Sequence, residues 1–458
     1  MTKQLVIALI LLPFLVSAQT WNGQWKATLN GLDIYLTIEE ADGVYLTIPA
    51  QGLFDDKASY YEIEGDRLDF HFQKYGATFY GNLSNEKING TWAQSGQEKT
   101  LTFKPSEEDL AYDRPQEPKG PFAYKSEDVE IKQEKDDITL AGTLTYPDGE
   151  GPFPAVVLIS GSGPQNRNSE IFGHKSFLLI ADYLTNRGYA VMRYDDRGVG
   201  ESTGKFAQAT SEDLSYDAEA IFEYLRTRDN IRKDQVGYIG HSEGGMIAPM
   251  VAARNQNVAF LVLLAGPGTP IDELMIYQLK HTKGQFGLSK KGEEAYEEMV
   301  TKIINLLKQD KPNDQIVDEL EGTTNMFYRN LSEDDQEKMG PSEKAFYFKF
   351  APGLLNVWMR YFLKYDPSEY LSKVTVPVLA MNGKKDRQVL AKPNTKAIKK
   401  ALKSGGNKNV KIKRFRKLNH LFQTSKTGEG SEYAIISETF NPKALEYMHK
   451  WLDKQVGE

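Results

Sequence analysis

Hydrophobic and polar positions divide the chain into two regimes. From Gln19 to about Pro105, apolar residues recur at every second position: Leu32, Ile34, Leu36 and Ile38, then Val44, Leu46 and Ile48, then Leu68, Phe70 and Phe72. That alternation predicts half-buried β-strands. Turn signals separate them at Ala41-Asp42-Gly43, Glu64-Gly65-Asp66 and Asn89-Gly90. Trp21, Trp25, Phe79, Trp92 and Phe103 would fill the core of a small all-β domain over residues 19–105. Aromatic side chains in such a module can instead bind a glycan, but most of these fall on the inward alternation, which favours packing. Residues 106–122 are charged and proline-bearing, show no periodicity, and read as a linker.

From about Ala123 the pattern changes. Strand candidates at Val129 to Gln133 and Ile138 to Tyr146 lead into the apolar run "PAVVLIS", Pro154 to Ser160. Helix-period segments then alternate with "YAVMRY" (from Tyr189), "QVGYIG" (from Gln235), "VAFLVLLAG" (from Val258) and "VPVLAMNG" (from Val376). Uninterrupted apolar strands flanked by helices predict a mostly parallel sheet covered on both faces. A strand at Val410 to Arg416 and a helix at about Pro442 to Lys454 close the chain. One segment breaks the alternation. Residues 270–366 are helical in pattern, with Tyr296, Met299, Val300, Ile303, Ile304 and Leu307 on one face. An insertion of that length between two sheet strands predicts a cap over the sheet's C-terminal edge.

The N-terminus reads differently again. Lys3, the apolar run Leu5 to Val16, and the small residues Val16 and Ala18 form the pattern of a secretory signal over residues 1–18. A bilayer-spanning helix needs about 20 apolar residues, and this run is shorter and interrupted by Pro13. The expectation is an exported protein, periplasmic or extracellular, without a membrane anchor once the signal is cleaved. The chain has no cysteine, which removes thiolate chemistry and disulfides together. A net charge of −7 with no long basic run argues against a nucleic-acid partner.

Two stretches carry the five-residue pattern G-x-S-x-G: Gly200-Glu201-Ser202-Thr203-Gly204 and Gly240-His241-Ser242-Glu243-Gly244. A nucleophile elbow needs a strand directly before the serine and a helix directly after it. Ser202 fails, because the polar "DDRGVGE" separates it from its strand and the next helical pattern starts only near Ser211, capped by Ser211 or Asp213. Ser242 passes, with "VGYIG" before it and "MIAPMVAA" after it, where Pro249 either kinks the helix or lies in its first turns. The first loop also approaches two nucleotide-binding patterns. Its phosphate-loop spacing is one residue too long and ends in Phe206, and Thr203 stands where a dinucleotide fold requires glycine.

A serine needs a base, and the base an orienting acid, in the chain order serine, acid, histidine for this elbow. Of six histidines, His71 belongs to the β-module, His174 and His241 precede Ser242, His281 lies in the cap segment and His449 in the last helix. His420 remains, in a loop beyond the last strand. Asp386 follows the strand that emerges from the cap. The bland alternatives are a turn aspartate and a loop histidine, yet all three residues fall at strand C-termini in the required order. The loop after "VVLIS" carries glycines, and Ser162 or Gly163 there would share oxyanion binding with the Glu243 N–H. No metal motif such as H-E-x-x-H appears, and the chemistry needs no cofactor.

The motifs "GSGPQNRN", "YDDRGVGES", "GHSEGG", "NGKKDRQV" and "LNHLFQ" resemble the bacterial carboxylesterase branch of the α/β-hydrolase superfamily. Several members of that branch carry a small N-terminal β-module and a helical cap. The resemblance runs from about Ser126 to the C-terminus and is weak in the cap. It implies an α/β-hydrolase fold, a small-molecule ester substrate, and Ser242, Asp386 and His420 as the triad, with Ser162 and Glu243 near the oxyanion. It also implies that the Ser202 loop is not catalytic. One departure is Ser160, where many hydrolases carry histidine, which leaves the side-chain support of the oxyanion loop open. The same triad cleaves amides, so a serine peptidase or amidase is the alternative, followed by a catalytically dead binding protein. Which of Phe346, Phe348, Trp358, Phe362 or Tyr365 faces the pocket, what the β-module does, and the oligomeric state all stay open.

Overall fold

The computed structural model describes residues 21–94, 97–110 and 113–457; the expected signal segment, 1–18, lies outside them. The chain forms two compact units, divided between Ala111 and Tyr112.

In the first unit, among the described residues, nine antiparallel strands run from Gly23 to Ser106. Inward positions of both halves of the sheet meet in one core containing Trp21, Trp25, Leu36, Leu68, Phe70, Phe79, Trp92 and Phe103. The aromatic side chains named from the alternation are therefore packing residues. Trp21 Nε1–H donates to the Gly65 carbonyl at 3.1 Å, satisfying the one polar atom that burial of this indole leaves.

The interval expected to be a linker is mostly used by its neighbours. Glu108 accepts from Lys26 Nζ at 2.8 Å and from Tyr35 Oη at 2.6 Å, which holds it to the first unit. Arg114 donates to the carbonyls of Phe172, Ala434 and Ile436, and Gln116 bonds Thr439 and Phe440, which holds both to the second. A guanidinium has five donors in a fixed fork, so one arginine fastens several loop carbonyls.

The second unit is built on a mixed sheet of eight strands among the described residues: β1 (Tyr124–Gln133), β2 (Ile138–Pro147), β3 (Phe153–Ile159), β4 (Ala190–Tyr194), β5 (Ile231–His241), β6 (Leu261–Leu264), β7 (Val378–Gly383) and β8 (Val410–Phe415). Their order is β1-β2-β4-β3-β5-β6-β7-β8, with β1 and β2 antiparallel to their neighbours and the rest parallel. Strand β3 shows why its sequence is uninterruptedly apolar. Ala155, Val157 and Ile159 feed one core, while Val156 and Leu158 feed the other. Helices α1 (Ser176–Thr185), α2 (Ser211–Thr227) and α3 (Gly244–Arg254) follow β3, β4 and β5. The cap of α2 is Thr210 rather than Ser211 or Asp213. Thr210 Oγ1 accepts from the Asp213 N–H while the Asp213 carboxylate accepts from the Thr210 N–H, a reciprocal capping box.

Between β6 and β7 come α4 (Ile271–Thr282), α5 (Lys290–Leu307), α6 (Asn313–Arg329), α7 (Glu333–Met339), α8 (Glu343–Phe350) and α9 (Val357–Lys364). Tyr296, Met299, Val300, Ile303, Ile304 and Leu307 pack with Phe327, Phe346 and Leu363 into a core of the insertion's own. After β7, α11 (Ala391–Ser404) and α12 (Pro442–Val456) cover opposite faces of the sheet; the short α10 (Ser368–Leu371) precedes β7.

Candidate active site

Strand β5 ends at His241 and α3 begins at Gly244, so two residues make the turn between them. Ser242 takes φ +53° there, a left-handed conformation that a non-glycine residue adopts only where the surroundings over-determine it. Its N–H donates to the Leu264 carbonyl at 2.8 Å. The flanking glycines are steric requirements. A Cβ on Gly240 would run into the Gly244 carbonyl, one on Gly244 into the Ile159 carbonyl, and one on Gly245 would lie 2.7 Å from Gly266 Cα.

Asp386 and His420 meet from two other loops. His420 Nδ1 lies 2.8 Å from Asp386 Oδ2. Asp386 Oδ1 accepts from the Gln388 and Val389 N–H groups, each at 2.8 Å, so two N–H groups of its own loop and the histidine fix the carboxylate. The His420 loop is itself tight, with Asn419 and Gln423 bonded through both backbone and side chains. Both Asp386 and His420 are buried.

A second histidine adjoins this pair. His241 Nε2 lies 3.0 Å from the His420 carbonyl, which can only accept, so Nε2 carries the proton. Burial and the neighbouring His420 lower the His241 pKa to about 3. His241 is thus neutral across the physiological range and cannot be the base that titrates there.

Ser242, His420, Ser162 and Glu243 all line one cavity of about 390 Å³. Gly163 does not reach it. Among the described residues, the N–H groups of Ser162 and Glu243 make no hydrogen bond. From the cap, Leu274, Met275, Gln278, Trp358 and Phe362 complete the walls. Of the five aromatic residues considered from sequence, Trp358 and Phe362 therefore face the cavity. Phe346 and Tyr365 are core, and Phe348 is exposed on the surface. Gln388 and Tyr433, joined by a 3.0 Å hydrogen bond, also line it. Gln388 lies in the motif that carries Asp386, although nothing there marked it as a wall residue, and Tyr433 belongs to no motif.

The loop that Ser160 opens is supported by Asp196. Asp196 accepts from Ser160 Oγ at 3.0 Å and from the Gln165 N–H at 2.9 Å, and its own N–H donates to the Gln165 carbonyl at 3.1 Å. Burial raises its pKa to about 7, helped by the nearby Glu243 and Asp217, although both bonds pull the other way.

A family model described as serine aminopeptidase, S33, matches residues 174–330, which includes Ser242 but ends before Asp386 and His420. Esterase EstD of Thermotoga maritima is 26% identical over 429 residues, covering 93% of this chain and 87% of that protein. The chain has the fold of the α/β-hydrolases. A second relative of this hydrolase is the 2,6-dihydropseudooxynicotine hydrolase of Paenarthrobacter nicotinovorans, 28% identical over 137 residues, covering 29% of this chain and 33% of that one. A solved structure, the Pyrococcus furiosus esterase Pf2001, aligns over 73% of this chain and 94% of its own with 14% identity and a TM-score of 0.42.

Proposed function

We propose that the protein is a serine esterase. Ser242 Oγ attacks the ester carbonyl while His420 takes its proton. Asp386 holds the histidine's tautomer and stabilises the imidazolium. The imidazolium then protonates the departing alcohol, leaving an acyl-enzyme on Ser242. Water, deprotonated by the same histidine, releases the acid and restores the serine. The oxyanion is received by the Glu243 N–H and by the N–H of Ser162, which lines the cavity where Gly163 does not. Each such donor is worth on the order of 10²–10³ in rate.

The observation that carries this reading is the meeting of a serine at positive φ with the Asp386–His420 hydrogen bond at one cavity. The same triad could cut an amide, and the family model's description points that way. An aminopeptidase must receive a substrate ammonium. Among the described residues Glu243 is the one acidic residue lining the cavity, and its carboxyl is buried and already bonded to Ser211 and Trp358. That favours the ester. Nitrophenyl esters assayed beside aminoacyl nitroanilides test the choice. Faster turnover of the anilides would overturn it.

Export is part of the same proposal and rests on the Lys3 to Ala18 pattern. Among the described residues no helix is long and apolar enough to cross a membrane. N-terminal sequencing of the protein from its native fraction should begin at Gln19.

A further inference from the structure

The Glu243 carboxyl has an unusual position. It is buried at 1% exposure, and among the described residues no cation pairs with it. Burial raises its pKa. A carboxyl in that state costs stability that an apolar side chain of the same size would not, so its contacts should show what it does. Oε1 accepts from Ser211 Oγ at 2.5 Å and from Trp358 Nε1 at 2.8 Å; the Ser162 side chain also lies against the carboxyl, and Oε2 is buried without a well-aligned hydrogen bond. One oxygen thus joins three elements: the residue after the nucleophile, the first turn of α2, and cap helix α9.

Trp358 is the wall residue of that helix. Its ring stacks on Phe362 with centroids 4.6 Å apart and planes 18° from parallel, and both rings line the cavity. The end of α9 is tied down separately, through the Ile271 N–H to the Tyr365 carbonyl and Tyr365 Oη to the Met246 carbonyl. At Trp358 the ring packs on the core of the sheet domain, and the polar link to that domain is the indole N–H. A half-buried indole needs a partner for that N–H, and the partner's position decides which way the ring lies.

We infer that Trp358 sets the size of the group accepted beside Ser242, and that the Glu243 side chain is the positioning group that holds Trp358 in place. The inference rests on the esterase reading. Glu243 then serves both parts of the site. Its N–H faces the oxyanion, and its carboxyl fixes the wall that bounds the substrate.

The test uses the full chain and two substrate series: nitrophenyl esters of lengthening acyl chain, and acetates of increasingly large alcohols. The readout is the ratio of kcat/KM for long over short members, which cancels a general loss of activity. Trp358→Ala should raise that ratio about tenfold or more in one series, the scale on which hydrophobic pockets discriminate. Trp358→Phe keeps the bulk but deletes the N–H, and should raise it by a smaller factor, as should Glu243→Ala. Glu243→Gln retains an accepting oxygen and should restore the wild-type ratio. Unchanged ratios for Trp358→Ala in both series would overturn the wall. Unchanged ratios for Trp358→Phe and Glu243→Ala, or a Glu243→Gln profile like that of alanine, would overturn the positioning role. If wild type hydrolyses neither series, the esterase reading itself fails. If it hydrolyses them and the ratios stay fixed, only this inference does.

Discussion

The loops around Ser202 and Ser242 share a five-residue pattern and differ in everything that surrounds it. Ser242 sits on a two-residue turn at positive φ, with glycines before and after it because carbonyls leave no room for a Cβ. Its hydroxyl faces a cavity shared with His420. Ser202 is consumed by structure. Its Oγ–H donates to the Asp195 carbonyl at 2.7 Å, and its Oγ accepts from the Ala141 N–H at 2.9 Å. The rest of that loop is bound in the same way. Asp195 takes Arg167, Asp196 takes Ser160 and Gln165, and Arg197 pairs with Asp217 and Asp136. A serine becomes a candidate nucleophile when the fold leaves its oxygen uncommitted beside a base. The loop with committed groups holds the loop that brings Ser162 to the cavity of the other.

Substitutions separate the two roles. Asp386→Asn keeps the shape of the site but can stabilise the wrong imidazole tautomer, and should lower kcat/KM on a nitrophenyl acetate by about 10⁴ without moving the thermal midpoint much. Arg197→Ala leaves Asp217 buried without its partner; urea unfolding should show a loss of about 3–5 kcal/mol. Asp196→Asn should change how stability depends on pH. The folded pKa of about 7 is raised above the ordinary carboxylate value, so the proton is held more tightly in the folded state. That contribution is full below about pH 4 and is lost as pH rises toward and through 7, by a few kcal/mol at most. Unfolding curves at pH 5 and pH 8 should therefore converge in the variant. Ser202→Ala strands the Ala141 N–H and should cost about 1–3 kcal/mol with kcat unchanged. A large loss of kcat there, in folded protein, would break the comparison.

Much of this organisation was legible from residue order. Apolar runs such as "PAVVLIS" marked strands buried on both faces, because only a doubly covered strand tolerates no polar position. Ser242, Asp386 and His420 were candidates because each follows a strand end, and the fold places Asp386 against His420 and His420 at the cavity of Ser242. What escaped depends on contacts without local pattern. Trp358 and Glu243 are 115 residues apart, and nothing near either announces the bond. Arg114 stands in a stretch that looks like linker, and only the carbonyls of Phe172, Ala434 and Ile436 show that it fastens the second unit. Ser160 read as a missing support, and the support proved to be Asp196 in the loop that carries Ser202. The repeated motif was informative about the cavity, through the loop that it supports.

The most direct measurement is covalent. A fluorophosphonate reacts with a serine only where a base and an oxyanion site activate it, and digestion of the labelled protein locates the adduct. The account predicts one adduct, on the peptide carrying Ser242, lost in Ser242→Ala and retained in Ser202→Ala. An adduct on Ser202, or none on folded wild-type protein, would contradict it.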